Sequence, residues 1–389
     1  MREKFLLPLL GVAHSLNHSI FLALPPLVPL MIIQMGVSIK DVSTFATIGY
    51  FIYGLGSIVG GILANKLGEL KVLTLCVSFS GVGTIIIFLF PSLLGFALGF
   101  IIMSIWASFY HPTVYSLISK VYSSNLGTAF SIHGAAGNIG QILTPSISAI
   151  IGLTYGWQYS FLLFGILTIV IAIPLYSFHI ERLKEGKVSV DIFINLLKGL
   201  TFWKLYAFNI FNGLVFRGVE FILPTFLVVA KYFKIEIAGY AMSIMLLAGV
   251  FGQFLGGSLA DKFGSYKILI IESFSITISL IFLLFIPHPI LGVALFISIY
   301  GISMYASQPS FGYLVAIVSD PQVRGPLYGF LFFMAFGCGS LSVFFTGFLL
   351  QEYGAEIAII TLTFIAIFAL IVSIVLPKVK KVKNQTKFY

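Results

Sequence analysis

The sequence predicts an all-α membrane protein of twelve transmembrane helices in two pseudo-symmetric six-helix halves. Three observations predict it: a composition too apolar for a soluble chain, twelve apolar windows of membrane-crossing length, and an internal repeat. Of 389 residues, 59% are hydrophobic and 9% charged, with a mean hydropathy of +1.07. Soluble domains carry about 25% charged residues and do not sustain runs of Leu, Ile, Phe and Val from end to end. Short segments alternating in polarity are absent, which argues against a membrane β-barrel.

Windows of about 20 apolar residues fall at roughly 5–33, 42–64, 72–90, 93–119, 126–152, 157–178, 201–230, 237–260, 267–287, 289–315, 324–351 and 355–377. The first opens like a signal peptide, with Arg2 and Lys4 ahead of apolar residues. Its apolar run continues to Gln34, contains two His and lacks a small-residue cleavage site, so it reads as a retained span. The N-terminus, the even-numbered loops and the C-terminus hold 18 Lys and Arg, whereas the opposite side holds Lys40, Lys231 and Lys234. The positive-inside rule then predicts cytoplasmic termini and a multi-pass protein of the plasma or inner membrane. The basic excess therefore marks topology, and no nucleic-acid partner is predicted. Cys76 and Cys338 both fall inside spans, where they read as small hydrophobes.

Span one places His14, Asn17 and His18 at i, i+3 and i+4, on one helix face, ahead of Pro25, Pro26 and Pro29. Span four contains "FYHPTVYSLISK", with His111 and Pro112. Span five contains "SIHGAAGNIGQILTP", whose Gly and Ala positions form a small-residue face for a close neighbour, with His133, Asn138 and Gln141 as candidate polar groups. Span seven, "FNGLVFRGVEFILPTFLVVA", carries Arg217 and Glu220 near its middle and then Pro224. Spans eight and ten add Gln253, Gln308 and Pro309. Spans three, six and twelve contain no His, Asn, Gln or ionised side chain in their interiors, and span nine has only Glu272, near its cytoplasmic end.

The connector at 179–200 separates residues 1–178 from 201–389, the second half ending in a short basic tail. "GGILANKLGELKVL" (60–73) matches "GGSLADKFGSYKIL" (256–269) at an offset of 196, Pro112 matches Pro309 at 197, and Pro26 matches Pro224 at 198. A repeated six-helix half is the sequence sign of a secondary transporter working around a midplane site.

These segments resemble the major facilitator superfamily over essentially the whole chain. The resemblance implies a fold with helices 1, 4, 7 and 10 around a cavity and 3, 6, 9 and 12 against lipid. It also implies that Asn65, Lys66 and Lys71, and Asp261, Lys262 and Lys267, help to set a conformational equilibrium. Asn65 replaces the family's acid in the first copy, so a weaker latch is expected in that half; a plain reading of these Lys is topological anchoring. "AHSLNHSI" (13–20), the His-Pro of span four, the Gly-rich start of span five and "YGFLFFMAFGCGSL" (328–341) further resemble the fosmidomycin-resistance branch of drug-efflux permeases. His18 departs from that branch, which implies an acid at this position.

Charges at a helix centre cost about 2.5–3.5 kcal/mol each on insertion scales, so they are kept where they face protein or a water path. Arg217 and Glu220 are i, i+3 and can pair. One reading is a self-neutralising structural pair. The other gives Arg217 an anionic substrate and Glu220 a proton, with His14, His18, His111 and His133 as alternative proton carriers. Pro112, Pro224 and Pro309 would kink the cavity helices for gating, although Pro is also commoner in membrane helices generally.

The leading expectation is a secondary transporter working by alternating access, most simply a proton-coupled antiporter exporting small amphipathic or anionic compounds. Uptake of a phosphorylated or organic-anion metabolite is the alternative, and transition-metal transport through the core His is less favoured. No cofactor or resident metal is expected, the partners being substrate, protons and lipid, and a monomer suffices. The absence of G-x-S-x-G, H-E-x-x-H, clustered intramembrane Asp and a Walker A sequence argues against an enzyme and against ATP as energy source.

Overall fold

Each predicted window is helical. The computed structural model describes residues 3–122, 125–178, 199–319 and 324–378. Within them run twelve candidate spans: Phe5–Met35, Ile39–Ala64, Glu69–Leu89, Leu93–Val121, Thr128–Tyr155, Gln158–Tyr176, Leu200–Val229, Ile235–Phe263, Ser265–Phe285, Pro289–Val318, Leu327–Tyr353 and Ala355–Ile374. Most of the 179–200 connector and most of the basic tail lie outside the described residues.

Local chemistry sets the ends of these helices. Ser38 and Asp41 form a capping box at the start of span two, each side chain bonding the other's backbone N–H at 3.1 Å. The repeated motif ends span two at Gly68, φ 92°, and span eight at Gly264, φ 87°. That left-handed backbone favours Gly, and it lets the chain reverse into spans three and nine without a loop. Gly156 (φ 115°) and Gly354 (φ 97°) do the same after spans five and eleven. They are a further repeat pair, 198 residues apart in the sequence.

The prolines do not act alike. Span one breaks into Glu3–Leu22 and Leu24–Met35, and span four into Leu93–Ala107 and Tyr110–Val121. Pro25 has no N–H for the Phe21 carbonyl four residues back, and the Tyr50 hydroxyl donates to that carbonyl instead, at 3.4 Å. Pro112 cannot donate to Ser108, where span four breaks. Pro224 and Pro309 lie in uninterrupted helices, so the expected kinks at proline appear as helix breaks only in the first half. Pro112→Ala is expected to restore the missing donor and raise the melting temperature in detergent while slowing transport. An unchanged melting temperature would show that Pro112 does not cause the break.

Burial sorts the spans as the cavity arrangement requires. The most apolar windows of spans one, four, seven and ten are 83, 56, 72 and 61% buried, and no other span exceeds 50%. Span three packs on six and span nine on twelve, while two meets eleven and five meets eight across the halves. One apolar core joins both halves through Leu27, Tyr50, Phe221 and Tyr300. At the end carrying the chain termini the core divides. Leu6, Leu10, Leu117 and Leu175 belong to one cluster, whereas Leu205, Leu314, Leu331 and Leu376 belong to another. The halves are thus joined at one end and separate at the other. At the joined end Lys40 and Glu352 form an exposed 3.5 Å ion pair between spans two and eleven. Exposed pairs contribute about 0–1 kcal/mol, so Lys40→Ala should change unfolding stability by less than about 1 kcal/mol in a detergent melt.

Candidate functional site between the halves

Span seven brings its two charges to the seam. Arg217 and Glu220 are 5% and 7% exposed, and an Arg217 Nη1–H donates to Glu220 Oε2. The guanidinium lies 4.8 Å from the ring centre of Tyr50 in span two and 4.3 Å from that of Phe336 in span eleven. Cation–π contacts of this kind contribute about 0.5–2 kcal/mol each when desolvated. Both halves therefore hold this one cation. Its Nε–H is buried without an acceptor among the described residues. Glu220 lies within electrostatic reach of Tyr50, Tyr300 and Tyr305.

Phe336 reaches Arg217 because span eleven departs from α-helix. Residues Phe333–Gly337 form a π-helical turn followed by a 3₁₀ turn at Cys338–Ser340, a kind of irregularity that recurs at functional sites. Gly54 in span two lets the Gly337 backbone approach, and Gly339 does the same at Gly213 in span seven; a Cβ at Gly54 or at Gly339 would overlap backbone. Beside them, the Thr47 hydroxyl donates to the Ser340 carbonyl at 3.3 Å and the Ser340 hydroxyl returns to the Thr47 carbonyl at 3.4 Å.

The predicted His residues converge in the first half. His14 stacks on His133 with ring centres 4.2 Å apart, and His111 approaches edge-on at 5.1 Å. His14 Nδ1 bonds the His133 carbonyl at 2.9 Å, and His14 Nε2 lies 3.0 Å from His18 Nε2. Gly137 makes room, since a Cβ there would overlap the His14 ring. This gives the small-residue face of span five a specific purpose. Asn17 points between spans two and four, accepting from the Tyr53 hydroxyl at 3.3 Å and donating to the Ala107 carbonyl at 3.4 Å. Phe332 of span eleven approaches His111 with ring centres 5.7 Å apart, and Arg217 is within electrostatic reach of His18. The imidazole cluster and the charged pair thus adjoin.

The amides divide by role. Asn138 donates to Gln253 at 3.2 Å, and Tyr305 donates to Gln141 at 3.3 Å, both across the seam. Gln308 is exposed, one turn beyond Tyr305. Lys66, Lys71, Asp261, Lys262 and Lys267 are exposed, the Asn65 side chain lies outside the description, and no ion pair joins the motif residues among the described ones. Glu69 in the first copy is buried, accepts from Ser116 at 3.0 Å and pairs with Lys120 of span four. Reading the motif's charged positions alone missed Glu69. Tyr50, Tyr53, Tyr305 and Phe336 were missed because aromatic residues in an apolar helix carry no sequence sign of facing a charge.

Duplicated helix bundles meeting over buried polar groups define a membrane transporter, not an enzyme. The chain belongs to the Major Facilitator Superfamily, whose sequence profile matches residues 10–343. It is similar to the uncharacterized MFS-type transporter YfnC of Bacillus subtilis, 24% identical over 97% of this chain and 94% of that protein. A probable hexose phosphate transport protein of Chlamydia pneumoniae is 23% identical over 60% of this chain and 59% of its own length. The solved inward-facing, occupied structure of a bacterial homolog to the human lysosomal transporter Spinster superposes with a TM-score of 0.80 at 16% identity. It covers 96% of each chain, which establishes the shared fold.

Proposed function

We propose that this chain is a proton-coupled carrier of a small anion working by alternating access, with Arg217 as the anion-binding group and Glu220 as its exchangeable partner. The observation that carries this reading is the placement of Arg217. It is a buried cation gripped by aromatic rings from both halves, with one acid beside it and one N–H left over. When Glu220 takes a proton, Arg217 loses its counter-charge, and an anion can replace it. When Glu220 releases the proton, the pair re-forms and expels the anion. The hexose phosphate relative is named for an anionic cargo, and a phosphonate, as the fosmidomycin-branch resemblance implies, is an anion too. Export by antiport and uptake by symport use the same exchange, and the drug-efflux reading stands as its export form.

The excess of Lys and Arg on the terminal side supports cytoplasmic termini in a plasma or inner membrane. The divided end then faces the cytoplasm, and the conformation is inward-facing. In this reading Pro112, Pro224 and Pro309 shape the moving helices. Asp261, Lys262, Lys267, Asn65, Lys66 and Lys71 sit where the halves must approach when that end closes. Gln141, Gln253, Asn138 and Gln308 line the seam that the anion passes. A monomer contains every group required.

Reconstituted protein under an imposed pH gradient tests the proposal by proton flux on addition of sugar phosphates, phosphonates, nitrate and, as control, lipophilic cations. Anion-dependent flux in the native protein that disappears in Glu220→Gln supports it. Flux evoked only by cations, or unchanged in Glu220→Gln, overturns it.

A further inference from the structure

The histidine cluster contains more organisation than packing requires. Its parts come from both broken helices: His14 and His18 from the first segment of span one, and His111 from the segment of span four that begins at Tyr110. One ring nitrogen from each of these three residues lies within 4.8 Å of the other two. The set is purely imidazole, with no carboxylate among it.

Tautomer chemistry identifies which nitrogen is free. His14 Nδ1 lies 2.9 Å from the His133 carbonyl, an acceptor only, so Nδ1 carries the proton and Nε2 presents its lone pair. That Nε2 faces His18 Nε2 at 3.0 Å. Two nitrogens bound to one tetrahedral metal at about 2.0–2.1 Å stand about 3.3–3.4 Å apart. The His14–His18 pair therefore needs only a few tenths of an ångström of relaxation, with His18 moving its own proton to Nδ1, while the three-nitrogen set, now spread over up to 4.8 Å, contracts around the ion by a side-chain movement of about an ångström. An imidazole whose far nitrogen is tied to a carbonyl is also the usual outer-sphere arrangement of a metal-binding His. Gly137 leaves the His14 ring its place, and His133, fully buried with neither ring nitrogen hydrogen-bonded, closes the back of the cluster.

We infer that His14, His18 and His111 form a binding site for a divalent transition-metal ion, of the class of Zn²⁺, Co²⁺ or Ni²⁺. Neutral imidazoles suit these ions and not Mg²⁺ or Ca²⁺, which require oxygen ligands. Three protein ligands leave a fourth position open to water or an anion. All three ligands belong to the first half. The site therefore does not depend on closure of the seam, nor on the anion-carrier reading: it is read by metal binding, whereas that reading is tested by proton flux.

The test uses the full chain in detergent, carrying no polyhistidine tag, titrated with Co²⁺ by visible absorption and with Zn²⁺ by calorimetry. One equivalent is expected to bind, with a d–d spectrum of nitrogen ligation, displacement of Co²⁺ by Zn²⁺ and no competition from excess Mg²⁺. His18→Ala and His111→Ala should each weaken binding at least tenfold, and their double variant should abolish it. His288→Ala, outside the cluster, should leave it unchanged. Melting temperatures recorded alongside separate ligand loss from misfolding, and His111→Asn provides a milder second variant at the same position. Absence of saturable binding by the folded native protein, or full stoichiometric binding by a folded double variant, overturns the inference.

Discussion

Arg217→Ala is expected to destabilise the protein by about 3–5 kcal/mol, because it leaves a buried carboxylate without its counter-charge. Glu220 is 7% exposed, so water screens little of that loss. The same change should abolish anion-dependent proton flux. A second variant separates the two effects. Replacing both charges by apolar residues of similar volume, as in Arg217→Met with Glu220→Leu, removes the unpaired charge, and such swaps are often neutral or stabilising by about 1–4 kcal/mol. Recovery of the melting temperature without recovery of flux is the expected result. Recovery of both would show that the pair only neutralises itself, which is the structural alternative its i, i+3 spacing allows.

Gly54→Leu is expected to separate spans two and eleven and end transport. A Cβ at position 54 would overlap the backbone of Gly337, and backbone cannot rotate aside as a side chain does. Overpacking typically costs about 1–3 kcal/mol and occasionally more, and this site belongs at the upper end. The displaced span also carries Phe336, so the ring beneath the guanidinium moves with it. Gly61→Ala in the same span is the control, since nothing lies within 4 Å of a Cβ there. Its stability should be unchanged, or higher by about 0.5–1 kcal/mol from the helix preference of Ala. Equal losses of stability in both variants would disprove the close-contact account.

The fold was legible because lipid penalises every polar group left facing it. Twelve apolar windows had to be helices, and polar residues had to gather in spans one, four, five, seven, eight and ten. The repeat was legible through Gly68 and Gly264, since only a glycine turns easily at φ near 90°. Some contacts were legible too: the i, i+4 spacing of His14 and His18 and the i, i+3 spacing of Arg217 and Glu220 each correspond to a side-chain contact, whereas Asn17 turns away to Tyr53 and Ala107. The rest was not, for stated physical reasons. Phe336 faces Arg217 from a π turn that no propensity encodes, and Tyr50 meets it from a regular helix in the other half with no sequence sign of doing so. Pro224 and Pro309 read like Pro112, yet their helices continue, because surrounding packing and not the residue alone decides whether a freed carbonyl breaks the rod. Glu69 was passed over because its partner Lys120 lies 51 residues further along the chain.

The division of the core at one end has a consequence for how the chain is built. Chains emerge from the ribosome N-terminus first, and early units fold first. Every member of the first terminal cluster, from Leu6 to Leu175, lies ahead of span seven. That half, including Tyr50 that bonds across the break in span one, is synthesised before Arg217. The guanidinium then enters the bilayer beside its own Glu220 and finds one face of its aromatic cage waiting. Phe336 closes the other face only when span eleven arrives. The costliest residue to insert is thus delivered late, after the residues that form one face of its site.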